Sequence, residues 1–134
     1  MKRISIFLTV LLAISGLLGQ PGFPTPIARA DADPVPPESS GWVLISTAEQ
    51  LAYIDQHQSS YVNRNIRLTS DIDMTGYDWI PFGGNQSAYF SGAFDGRGHR
   101  ISGIEIHADT WLYTGFFGIV SGTVTDLSVS VQIE

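Results

Sequence analysis

Cysteine is absent from all 134 residues, and positive charge is scarce, with seven Lys and Arg against 13 Asp and Glu. Without thiols there is no disulfide framework, no thiolate nucleophile or metal ligand, and no lipid attachment through an N-terminal cysteine. The acidic balance excludes nucleic acid as a partner, because its phosphates demand a basic footprint. Catalytic signatures are missing too. There is no His-Glu-x-x-His and no close His/Cys group for zinc. There is no Gly-x-Ser-x-Gly elbow. Gly96-Arg97-Gly98 lacks the Lys-Ser/Thr that follows in a phosphate loop. His57, His99 and His107 stand at no ligand spacing and read as solvated side chains.

Residues 1–32 read as a signal peptide. Lys2 and Arg3 give the positive start, Ile4 to Leu18 the apolar run, and Ala28-Arg29-Ala30 or Ala30-Asp31-Ala32 the small-residue cleavage pattern. The run is short for a membrane span and holds Ser5, Thr9 and Ser15. An uncleaved anchor is the alternative. Cleavage after Ala32 leaves 12 acidic and 4 basic residues, a net charge of −8, and no membrane span. Export without disulfides points to a bacterial protein, secreted or held at the cell surface. Asn85-Gln86-Ser87 fits a glycosylation acceptor, relevant only in a eukaryotic secretory route.

Residues 33–41 form a Pro-rich spacer, and 42–134 form one small domain. Trp42 to Ile45 reads as a strand. Ser46-Thr47-Ala48-Glu49 fits a capping box, with Ser46 as N-cap, ahead of a helix ending near Gln56–Gln58. Ile66 to Met74 alternates with period two and bends near Ser70. Residues 75–89 are a turn-rich loop. Phe90 to Ala108 and Tyr113 to Ile133 then form two similar blocks. The offset that carries Phe90 onto Tyr113 sets Phe90-Ser91-Gly92-Ala93-Phe94 over Tyr113-Thr114-Gly115-Phe116-Phe117. The same offset sets Ile101 over Val124, Ile104 over Leu127 and Ile106 over Val129. Such a period marks stacked coils that bury their apolar faces only against neighbours. The expected fold is all-β: a right-handed parallel β-helix, or solenoid, of about three coils with a short N-terminal capping helix. A small antiparallel β-sandwich is the rival. Leu127, Val129, Val131 and Ile133 alternate with Ser128, Ser130 and Gln132 up to the last residue, with no polar cap after them. The chain is therefore expected to be the front of a longer protein, or a truncated reading frame, with an open C-terminal coil available for self-association.

Three segments carry a family resemblance: Asp71-Ile72-Asp73-Met74, Trp79-Ile80-Pro81-Phe82-Gly83, and Phe90 through Ile101 with its Ser91-Gly92-Ala93-Phe94-Asp95-Gly96 core. Together with Gly115-Phe116-Phe117-Gly118 they resemble the GLUG-repeat region of exported bacterial surface proteins. Similar regions occur in adhesin-like proteins and beside the catalytic part of IgA-specific metalloendopeptidases. The resemblance covers about residues 43–131. It implies a β-helix fold and a surface-exposed scaffold or binding role, although family members carry more repeats than this chain.

Asp71, Asp73, Asp78 and Asp95 are the candidates for chemistry. Asp71 and Asp73 lie two apart and share a strand face. With Asp78 or Asp95 they could ligate calcium, or act as paired carboxylates on a glycosidic bond. The plainer alternative puts them on the solvent face, with Ile72 and Met74 inward and Asp95-Gly96 in a turn. Trp79 and Trp111 fall in loops and are the candidate exposed rings for ligand contact. No cofactor is expected beyond the calcium alternative. The leading expectation is a non-enzymatic surface scaffold that contacts an extracellular glycan or a host or cell-surface protein. A carbohydrate-binding accessory module, or a fragment of a β-helix polysaccharide-degrading enzyme, is the alternative.

Overall fold

A computed structural model describes residues 34–84, 89–107, 109 and 112–134. The leader, the Asn85-Gln86-Ser87 acceptor and Trp111 lie outside the described residues. The fold is β-rich. Its strands are β1 (Glu38–Ser39), β2 (Trp42–Ile45), β3 (Asn65–Leu68), β4 (Ile72–Asp73), β5 (Ala93–Asp95), β6 (Arg100–Ile106), β7 (Thr123–Thr125) and β8 (Ser128–Ile133). Two short helices, α1 (Ala48–Gln56) and α2 (Gln58–Tyr61), stand between β2 and β3.

The strands form two separate sheets, with orders β1-β2-β3-β5-β7 and β4-β6-β8. β1 pairs antiparallel with β2, and every other named pairing is parallel. Parallel register excludes the antiparallel sandwich. Period-two side-chain alternation makes each pairing an apolar column. Val43 registers with Ile66, Ile66 with Phe94, and Phe94 with Val124. In the second sheet Ile72 registers with Ile101, and Ile101 with Val129. Val43, Ile66, Phe94, Ile72 and Ile101 are all buried, whereas Val124 on the last strand of its sheet is 38% exposed.

The parallel pairings run at other spacings than the expected one. Ile101 lies beside Val129, Ile104 beside Val131 and Ile106 beside Ile133, rather than beside Val124, Leu127 and Val129. Phe90 bridges to Val120 and Phe94 pairs with Val124, so Ser91-Gly92-Ala93-Phe94 recurs as Ser121-Gly122-Thr123-Val124. The offset expected from Phe90 and Tyr113 occurs only between β2 and β3, where Trp42 meets Asn65. Aromatic matching misled because Phe116 and Phe117 are not the counterparts of Ala93 and Phe94. They fill an aromatic cluster, with Phe116 stacked on Trp79 at 4.5 Å and Phe117 edge-on to Phe94 at 5.5 Å.

Helix α1 starts one residue later than the capping box implies. Thr47 is the N-cap, and its Oγ1 accepts from the Gln50 N–H at 3.2 Å. The Ser46 N–H donates back to Gln50 Oε1 at 2.8 Å. The reciprocal bonds thus join Ser46 and Thr47 to Gln50, while Glu49 accepts from the Tyr77 hydroxyl at 3.0 Å. Leu51 and Ile54 are fully buried and face the core.

Candidate functional site

Polar side chains decide how the chain turns from one sheet to the other. At the corner between β3 and β4, the Ser70 hydroxyl donates to Ser46 O at 2.7 Å, and the Thr69 N–H to Ile45 O at 2.8 Å. Asp71 caps the next corner: its Oδ1 accepts from the Arg100 N–H at 3.0 Å and lies 3.2 Å from His99 Nδ1. The Arg100 amide, and after it His99, hold the Asp71 carboxyl below its ordinary range. Asp73 Oδ1 accepts from the Thr75 hydroxyl at 2.6 Å and the Thr75 N–H at 3.0 Å, which lowers its pKa in the same way. Asp95 joins the Arg67 Nε (3.1 Å) to the Arg97 N–H (3.0 Å).

Each of these three carboxylates therefore closes its own turn or strand pair. Asp71 and Asp73 are exposed while Ile72 and Met74 are buried. Asp78 is exposed and bridges to Glu105. Among the described residues no group of three or more His, Cys, Asp or Glu comes together as a metal site. The histidines are dispersed as well. His57 stacks on Tyr53 at 4.1 Å, His99 sits at the Asp71 corner, and His107 is exposed.

Trp79 corrects the expectation of an exposed ring. It is 3% exposed, stacks on Phe116, and its Nε1–H donates to Phe116 O at 2.9 Å. A loop position concealed this, because the segment from Trp79 to Gly83 packs inward between the helices and residues 116–119. The second predicted ring, Trp111, is outside the described residues. Among the described residues, the tryptophan that reaches the surface is Trp42. It faces outward from β2, half-buried, with the Arg67 guanidinium 3.9 Å from its ring centre. The all-apolar Trp42-Val43-Leu44-Ile45 gave no alternation to read, and only strand geometry, with Val43 and Ile45 buried, puts Trp42 on the opposite face.

Among the described residues, one concave feature lies along the three-stranded sheet. It is a groove of about 460 Å³ lined by Thr75, Gly103, Ile104, Glu105, Ser130, Val131 and Gln132. Gly103 shapes it. Register shifts between Ile101 and Ile104, and Gly103 sits at φ +75° in the resulting bulge. A Cβ there would come within 2.6 Å of the Thr75 nitrogen and 2.7 Å of Asp73 Oδ1. The lining offers hydroxyls, a carboxylate and an amide, without a cation or an aromatic ring. Those groups suit hydrogen bonding to neutral polyhydroxylated molecules and disfavour anions. Comparison with protein-family models, curated proteins and solved structures finds no match to this chain.

Proposed function

We propose that this chain is an exported, non-enzymatic scaffold module of the GLUG-repeat type, built as the opening of a right-handed parallel β-helix. Three strand pairs, β3/β4, β5/β6 and β7/β8, would be its coils, and β1 with α1 and α2 its N-terminal cap. Successive pairs register in parallel at nearly equal steps in both sheets, from Ile66 to Phe94 to Val124 and from Ile72 to Ile101 to Val129, as coils of one solenoid require. Right-handedness follows from the strong preference of parallel crossovers. The observation that carries the functional side is the use of the carboxylates. Asp71, Asp73 and Asp95 are each committed to a separate turn or strand pair, which suits a frame that displays its surface.

The test has two arms, run on protein made from the whole chain with its leader. Export predicts a product whose N-terminus lies after residue 30 or 32 and which is recovered outside the cytoplasm. A scaffold predicts no release of reducing ends or unsaturated sugars from a polysaccharide panel. Cytoplasmic retention of the intact chain contradicts the first arm, and polysaccharide cleavage lost in Asp73→Asn contradicts the second.

The polar groove favours a second reading, a carbohydrate-binding accessory module. It predicts chemical-shift changes confined to Thr75, Glu105, Ser130 and Gln132 on titration with neutral oligosaccharides, abolished in Gln132→Ala. Saturating sugar without such shifts contradicts it.

A further inference from the structure

Two edge strands of the fold contrast with each other. β1 is an edge of two residues, preceded by Pro36 and Pro37 and carrying Glu38, which pairs with Arg64. Proline and charge on a short strand blunt an edge against further pairing. β8 is the opposite case. It ends the three-stranded sheet, runs six residues from Ser128 to Ile133, and holds no proline and no charged side chain. Among the described residues no strand pairs with its outer edge. The backbone groups it offers there follow from its bonds to β6. The Ser128 N–H donates to His99 O at 3.3 Å, and the Glu134 N–H to Ile106 O at 3.1 Å. The extra residue of the bulge lies on β6, between Ile101 and Ile104, so β8 alternates without a break. The N–H and C=O of one strand residue point to one side, and those of the next to the other. Val129, Val131 and Ile133 therefore turn both groups to the free edge. Their side chains share a face: Val129 and Val131 pack partly against the core, and Ile133 is 52% exposed.

We propose that β8 is a homodimer seam, paired antiparallel with β8 of a second copy about a two-fold axis at Val131. A two-fold contact matches a surface to itself. At this register Val131 faces Val131, Val129 faces Ile133, Ser130 faces Gln132, and Ser128 faces Glu134. Apolar side chains then meet apolar ones on one face of the seam, and polar meet polar on the other. The three outward-bonding residues of each copy supply about six backbone hydrogen bonds. Neighbouring registers are worse. A slip of one residue sets Ser130 against Val131. A slip of two residues in one direction opposes Glu134 to Asp126, like charge to like charge. In the other direction it confines the pairing to Val131, Gln132 and Ile133. The groove beside Ser130 and Gln132 continues into its twin, because these two side chains stand opposite each other across the seam.

Sedimentation velocity on protein made from the whole chain tests this. A dimer should appear, its share growing with concentration over about 1–100 μM. Ile133→Lys sets a charge in the seam at a position exposed in the single copy, so it should keep the circular dichroism of the natural protein and weaken association about tenfold or more. Oxidised Val131→Cys should give a covalent dimer, because the two sulfurs face each other. Ser130→Cys, opposite Gln132, should keep its thiol. If Val131→Cys does not fold, the Ile133→Lys comparison decides alone. A monomer throughout that range overturns the proposal. A dimer indifferent to Ile133→Lys overturns it too, as does one that Ser130→Cys locks and Val131→Cys does not. A native product whose own further residues pair with the β8 edge also overturns it.

Discussion

Replacing Gly92 with valine should abolish cooperative folding, or lower the thermal midpoint by about 12–24 °C, as a loss of about 3 kcal/mol implies for a domain of this size. Gly92 sits at backbone distance from Arg64, just ahead of the parallel pair β3 and β5. A Cβ on it would run into the Arg64 carbonyl, and a Cβ on Gly122 would run into the Gly92 carbonyl. Both glycines therefore belong to one line of close backbone approach, and neither neighbour is a flexible side chain that could swing aside. Gly98 is the control. It has φ +80° with nothing within 4 Å of its Cβ direction. Gly98→Ala should cost only the left-handed strain of about 1 kcal/mol. Thermal unfolding followed by circular dichroism distinguishes the two. Equal, small shifts for Gly92→Val and Gly98→Ala would mean that the backbones do not approach this closely at Gly92.

Phe94→Ala should cost about 3–5 kcal/mol, the usual range for deleting a fully buried aromatic ring. The ring is 1% exposed and stands between Ile66 and Val124 in the apolar column. It also meets Phe116 at 5.8 Å and Phe117 at 5.5 Å, both edge-on. Losing it removes apolar burial, edge-to-face contacts and the support of two neighbouring turns together. Phe94→Leu keeps much of the volume and should cost under about 1.5 kcal/mol. Urea unfolding measures both. A Phe94→Ala midpoint close to that of the natural protein would show that the column is not the centre of the core.

Much of this architecture was legible in local patterns. Trp42–Ile45 read as a short strand, alternation up to Ile133 marked the last one, and the Ser46–Glu49 capping box marked a helix start to within one residue. The strand register was not legible from aromatic matching. Corners of unequal length and the Gly103 bulge vary the step, so that Phe94 to Val124 is a longer stride than Ile104 to Val131. The repeated Ser-Gly at 91–92 and 121–122 was the better guide, because close backbone approach tolerates only glycine there.

Alternation set Asp71 and Asp73 against buried Ile72 and Met74, but pair spacing along a strand could not reveal that each carboxylate had its own backbone donor. Asp55 escaped notice altogether. Its place one turn after Leu51, on the buried stripe, was the available signal, and only the fold brings the Ile80 amide to it. Trp79 was misjudged because a loop in sequence became an inward strap.

Parallel strand pairing at the observed register is best tested by crosslinking, since a chain without cysteine gives an unambiguous readout. Ala93 and Thr123 are in-register neighbours on adjacent parallel strands, within disulfide reach. Arg100 and Thr123 would be neighbours if the offset from Phe90 to Tyr113 set the stack. Oxidation of the Ala93→Cys/Thr123→Cys protein should consume both thiols in the monomer, while Arg100→Cys/Thr123→Cys keeps them free. The reverse outcome would contradict the strand register described above.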